Sequence, residues 1–158
     1  MKTQLISLIS KVTLLSAMLL VTLTASAQGQ SLAYRVKANI PFDFTVGEKQ
    51  LPAGEYSVAR TIPSSGDLVL SITDHDGHTK ATRLTNATVT LSPKDRSVLV
   101  FHRYGDQYFL FQVWTAGETG GREFPESRSE RNQRELAKNS GVAQNNKCET
   151  VTIDAVLQ

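Results

Sequence analysis

Two histidines, His75 and His78, flank Asp76-Gly77 in the run Asp74-His75-Asp76-Gly77-His78. As the two-residue loop of a type I′ hairpin, Asp76-Gly77 would set the flanking pair facing each other. Two imidazoles so placed, with Asp76 or a water completing the set, make a candidate metal site. Three or more protein ligands are the usual minimum, and a solvated polar turn accounts for the same residues without a metal. No cluster in the chain calls for a cofactor.

His102 offers a second chemistry. It lies in the apolar run Val98 to Tyr104, and as a general base it would need Ser97 or Ser92, oriented by Asp95 or Asp106. No Gly-x-Ser-x-Gly setting accompanies these residues. A strand histidine bonded to a neighbour is the simpler account. Asp43, Glu55, Asp67 and Asp74 include enough carboxylates for glycoside hydrolysis, yet no spacing singles out a pair. Tyr34, Tyr104, Tyr108 and Trp114 could form a surface platform for sugar or peptide, but strand aromatics more often serve the core. Asn86-Ala87-Thr88 matches a glycosylation sequon. With no nucleophile motif and no dense His/Asp/Glu cluster, the reading is not an enzyme.

The elements that must position these residues have period two. Tyr34, Val36, Ala38 and Ile40 alternate with polar residues, and Phe42, Phe44 and Val46 continue after Pro41, which marks an edge or a bend. Gly47 to Gln50 is a turn, a strand follows from about Glu55 to Ile62, and Pro63 to Gly66 is a loop. Leu68, Leu70 and Ile72 form the next apolar face, and Thr79 to Leu84 returns from the Asp76-Gly77 hairpin. Thr88 to Leu91 is a short strand. Ser97 to Tyr104 and Tyr108 to Thr115 are apolar on both sides, which predicts a central hairpin buried on both faces. Trp114 is its core anchor. Gly117, Gly120 and Gly121 read as a flexible loop. A helix is predicted near 126–138, with Ser127 and Glu130 as a capping box and i,i+4 pairs Glu130–Arg134 and Arg131–Glu135. Residues 141–158 form a polar linker and a last strand around Val151, Ile153 and Ala155. The fold expected is mainly β: an antiparallel β-sandwich or small barrel with one C-terminal α-helix.

The segments Ile40-Pro41-Phe42-Asp43-Phe44, Val46-Gly47 and Leu51-Pro52-Ala53-Gly54-Glu55-Tyr56 carry a resemblance. Together with Asp76-Gly77, Tyr108-Phe109-Leu110, Val113-Trp114 and the helix holding Glu130, they resemble a group of small exported bacterial proteins of unknown function, abundant in soil bacteria. The resemblance spans roughly Val36 to Lys138, one domain's worth of chain. It implies an exported β domain and transfers no functional residue. The Leu51 to Tyr56 segment is also similar to one in carboxypeptidase-regulatory-like and prealbumin-like β-sandwiches, where it leads into a strand.

The first 27 residues have the form of a cleavable signal peptide. Lys2 and Lys11 supply charge, Val12 to Leu23 is apolar, and Ala25-Ser26-Ala27 is a small-x-small cleavage site. The expected mature chain begins at Gln28, is secreted or periplasmic, and holds its β domain within 28–140, with no transmembrane segment. Lys2 and Lys11 account for the whole formal charge of +2, since the chain has 17 basic and 15 acidic residues. A near-neutral mature protein gives no electrostatic case for nucleic acid. Cys148 is the one cysteine, so no internal disulfide forms. It can be an idle thiol or link two chains as a dimer. The function class expected is an exported structural or binding module with an unknown protein or cell-envelope partner. The alternatives are a secreted hydrolase and a carbohydrate- or peptide-binding domain using surface aromatics.

Overall fold

The computed structural model describes residues 35–61, 69–139 and 148–158. Met1 to Ala27, Tyr34, the Pro63 to Gly66 loop, Asp67 and most of the polar linker lie outside the described residues. Among the described residues, eleven strands and one helix follow in chain order: β1 (Arg35–Ile40), β2 (Phe44–Val46), β3 (Lys49–Leu51), β4 (Gly54–Arg60), β5 (Val69–Asp74) and β6 (Thr79–Leu84). Then come β7 (Asn86–Val89), β8 (Ser97–Tyr104), β9 (Gln107–Trp114), β10 (Gly120–Glu123), the helix α1 (Arg128–Asn139) and β11 (Glu149–Leu157).

Neighbouring strands run β3-β2-β9-β8-β11-β1-β4-β5-β6, and β10 joins β9 to β7. Only Thr85 separates β6 from β7. Because β5 pairs with β6 and β10 with β7, the order returns on itself. The chain is therefore mainly β, a nearly closed small barrel with one C-terminal helix. Pairing is antiparallel except between β2 and β9, where Phe44 and Thr45 run parallel to Tyr108 and Phe109. Pro41 explains the switch. It cannot donate to a ladder, so β1 stops at Ile40 and the chain crosses to the β9 edge.

Alternation fills the interior. Val36, Ile40, Val58, Leu70, Ile72 and Leu99 are fully buried there. Phe44 is the hub, with its ring edge-on to Tyr56 at 5.1 Å and to Phe101 at 5.6 Å. Such edge contacts add to what area burial alone supplies. Val98, Leu99, Val100 and Phe101 are all buried, as the unbroken apolar run predicts. Two different layers bury them. Leu99 and Phe101 face the interior, whereas Val98 and Val100 form a second cluster with Trp114 and Phe111 on the opposite face.

Trp114 is thus buried, 6% exposed, but outside the barrel's main core. It packs where the Gly117 to Gly121 stretch was expected to be a loop. Gly120 to Glu123 is instead strand β10, and a Cβ at Gly121 would stand 2.6 Å from Trp114 Cε3. Glycine in a strand often marks such a close approach. The indole Nε1 donates to Gln112 Oε1 at 3.0 Å, and Gln112 Nε2 donates to Glu123 Oε2 at 2.7 Å.

The β5–β6 hairpin is where it was expected, with a different turn. Gly77 N donates to Asp74 O at 3.1 Å and Asp74 N donates to His78 O at 3.0 Å. That pattern closes three residues, not two: a type I turn followed by a left-handed glycine, Gly77, at φ 83°. The Asp74 carboxylate favours it by accepting from His78 N at 2.8 Å. A Cβ at Gly77 meets nothing within 4 Å, so substitution there costs backbone strain alone. Gly77→Val should lower stability by about 1–2 kcal/mol and Gly77→Asn by much less. Equal urea midpoints for the valine and asparagine variants would contradict the left-handed turn.

Helix α1 begins at Arg128, two residues later than the sequence suggests, because Ser127 is its cap. Ser127 Oγ accepts from Glu130 N at 3.1 Å. The reciprocal half of the capping box is absent, since Glu130 reaches β8 instead. Nor do the i,i+4 pairs form as expected: Arg131 and Arg134 both turn back to Glu126, at 3.5 and 2.9 Å. Glu126, just before the helix, offers one carboxylate within reach of both.

Candidate functional site

The alternation that sends Val36, Tyr56, Val58 and Ile72 inward sends their neighbours outward. The strand registers align those neighbours in rows. Arg35, Ala59, Ser71 and Thr82 form one row across β1, β4, β5 and β6. Lys37, Ser57, Thr73 and Thr79 form the next. Both rows line a polar basin of about 570 Å³. Arg60 and Thr61 at the end of β4, the hairpin residues Asp74, His75 and Gly77, and Gln158 also line it. The Gln158 amide donates to Arg35 O at 2.9 Å, which ties the end of β11 beside the first row.

The basin's charges are arranged in pairs and singles. Lys37 Nζ lies 2.7 Å from Glu55 Oε1, and His75 Nδ1 lies 2.8 Å from the same oxygen. Lys80 Nζ lies 2.7 Å from Asp74 Oδ2. The hydrogen bond from Lys37, helped by His75, holds the Glu55 carboxyl below its ordinary range. The bond from Lys80 does the same for Asp74. Both groups therefore stay ionised at neutral pH, which suits binding and not the raised-pKa acid of a glycosidase.

The two hairpin histidines part company. His75 turns to Glu55, while His78 joins Asp74 and Asp76, whose ligand atoms lie within 4.8 Å of one another. A cation on that trio would compete with Lys80 for Asp74. Of the other carboxylates, Asp43 Oδ1 accepts from Ala53 N at 2.8 Å and so braces the turn before β4. Asp67 lies outside the described residues.

His102 is not placed for a serine. Its Nδ1 lies 2.7 Å from Glu130 Oε1, and its ring stacks on Phe111 at 3.8 Å. Ser97 Oγ accepts from Ala116 N at 3.0 Å. The partner sequence reasoning missed is Glu130, 28 residues away on α1; its spacing from Ser127 suggested only a cap. Tyr104 is buried beside this pair. Burial, then a hydrogen bond with the exposed Cys148, push its phenol up from the ordinary tyrosine value. Tyr108 stacks on Phe42 at 3.7 Å, and Trp114 is buried. The described aromatics thus meet protein neighbours and share no open platform.

A second concavity, about 390 Å³, lies between Gly47, Arg83, Phe124 and the start of α1. The protein itself answers the helix terminus there: Glu48 accepts from the amides of Arg128 at 2.7 Å and Ser129 at 3.3 Å. The Arg128 bond, with those of Ser129, holds the Glu48 carboxyl low. Depressed folded-state values in Glu48, Glu55 and Asp74 stabilise the fold above the unfolded carboxylate range. That contribution is lost as pH falls through the lower folded values. Urea midpoints should stay level down to about pH 5 and decline through about pH 4 and below, with a shallower decline in Glu48→Gln. Identical acid slopes for the two proteins would refute the role of Glu48.

Fold and site together define a nearly closed β barrel with a polar basin on its outer face. No known protein family, curated protein or solved structure matches the chain. Among the described residues, no helix is long and apolar enough to cross a membrane.

Proposed function

We propose that the protein is an exported, non-enzymatic binding module, secreted or periplasmic, that takes its ligand on the outward basin of β1, β4, β5 and β6. The observation that carries this reading is the alignment of two outward rows into one polar concavity of about 570 Å³. Ligand sites are concave, with a few polar groups converging from fixed elements. Against a hydrolase stand the two ionised, already paired carboxylates Glu55 and Asp74. Against an aromatic platform stands the burial of Tyr104 and Trp114. The leader features support export, and the Ile40 to Tyr56 signature supports membership of the exported group it resembles. The exposed Cys148 gives two copies a route to a disulfide-linked dimer.

Two measurements test the reading. Intact mass of the exported protein should match a chain starting at Gln28; retention of residues 1–27 would remove the export argument. Amide-resolved NMR titration with envelope-derived oligosaccharides and peptides should shift resonances of Lys37, Ser57, Ser71 and Thr73. Shifts confined to other faces, or chemical conversion of a fragment, would overturn the module reading.

A further inference from the structure

We infer that the free edge of β7 is a homodimer interface, which adds antiparallel to the β7 of a second copy about a two-fold axis at Val89. The inference goes beyond the basin and does not depend on it. Strand β7 bonds to β10 on one side. Thr90 N donates to Thr119 O at 2.9 Å, so in this antiparallel ladder Thr88 and Thr90 turn their amides and carbonyls to β10. Ala87, Val89 and Leu91 turn theirs the other way, where no strand among the described residues answers them. Their side chains share the outer face. Val89 is 80% exposed there and Leu91 fully so. An open edge with exposed apolar side chains is a template for another strand.

Charge decides which strand the edge accepts. The ends of the main strand order, β3 and β6, are guarded by cations. Lys49 Nζ on β3 donates to Lys80 O on β6 at 2.7 Å. The Arg83 guanidinium lies against Gly47, with Nη2 3.5 Å from Val46 O. Such side chains are a common defence of a sheet edge. Past Arg83 the defence stops: from Leu84 to Pro93 the chain has no charged residue. Two copies can therefore bring this stretch together without opposing like charges. A two-fold at Val89 sets Ala87 opposite Leu91 and Thr88 opposite Thr90. Apolar side chains then meet on one face and hydroxyls on the other, both favourable cross-strand pairs. The contact spans few residues, so the dimer is weak and forms at high concentration. It is separate from any link through Cys148, which lies just before β11.

The test is sedimentation equilibrium of the exported protein carrying Cys148→Ser, from about 10 μM to about 1 mM. The average mass should rise from one chain toward two over that range. Val89→Lys, added to this protein, sets two like charges across the axis and should raise the dimer dissociation constant about tenfold. Val89→Glu should do the same. An equimolar mixture of the two variants should recover the dimer, an outcome that misfolding cannot produce. Thermal unfolding at low concentration should agree among all three proteins, since Val89 is exposed. A Cys148→Ser protein still monomeric at the highest concentration would overturn the inference. So would a dimer indifferent to Val89→Lys, or a mixture that stays monomeric. Saturable binding of an alternating Thr-Val octapeptide to a monomeric protein, with amide shifts at Ala87 and Val89, would give the edge to a foreign strand instead.

Discussion

Trp114→Ala should cost about 3–5 kcal/mol, a large share of the stability of a domain this size. The indole lies under β10, with Lys94 Nζ 4.9 Å from its centroid and Val98 and Val100 against it. Truncation leaves a cavity that the paired strands cannot close by shifting, because β9 is held by β8 on one side and β10 on the other. The companion variant is Gly121→Ala. Its methyl would collide with the indole in the wild type, and in the Trp114→Ala background it would enter the vacated space. Gly121→Ala should therefore be destabilising alone and close to neutral in the double variant. Additive losses would show that indole and glycine are not packed as described. Wild-type fluorescence should be blue-shifted and poorly quenched by iodide.

Glu130→Leu should cost about 2–3 kcal/mol. The carboxylate is 6% exposed and its partner imidazole's side chain 21%, so little water replaces the lost bond. The pair fastens α1 to the outer side of β8. Breaking it leaves His102 Nδ1 facing an apolar side chain while its ring stays stacked on Phe111. Adding His102→Phe should recover most of the loss, because two apolar groups need no partner. Hydrogen exchange should show α1 opening earlier in Glu130→Leu than in the double variant. A double variant worse than either single one would mean that shape, not the hydrogen bond, holds the helix.

What could be read beforehand depended on how local the cause was. The limits of β6 and β8 follow from alternation and from an unbroken apolar run, both properties of a few consecutive residues. The last strand around Val151 to Ala155 was legible for the same reason, although its place in the sheet was not. Strand β10 was hidden because Gly120 and Gly121 read as breakers; only the ring of Trp114 explains why one of them is glycine. The hairpin turn depended on one extra residue in the loop, set by the Asp74 carboxylate. The Glu130–His102 bond and the turning of His75 to Glu55 are contacts between distant segments. No spacing predicts them. The basin was in view all along as the polar half of each alternation, but four strands had to find their register before Arg35, Ser71 and Thr82 shared a row.

One placement governs how the barrel comes into being. The final strand, β11, lies between β8 and β1, near the middle of the strand order. It pairs with β8 from Arg103 to Ser97 and with β1 at Val36 and Lys37. Strands β1 and β8 therefore gain their shared neighbour only when β11 is in place. Until Glu149 to Leu157 is available, two sheet edges stand open with their amides and carbonyls unanswered, which invites pairing with other chains. Closure joins residues more than a hundred positions apart, a slow kind of contact. Closure of this sheet thus depends on Glu149 to Leu157. A stop codon or protease cut before Glu149 should leave an open sheet prone to aggregation, not a slightly shorter barrel.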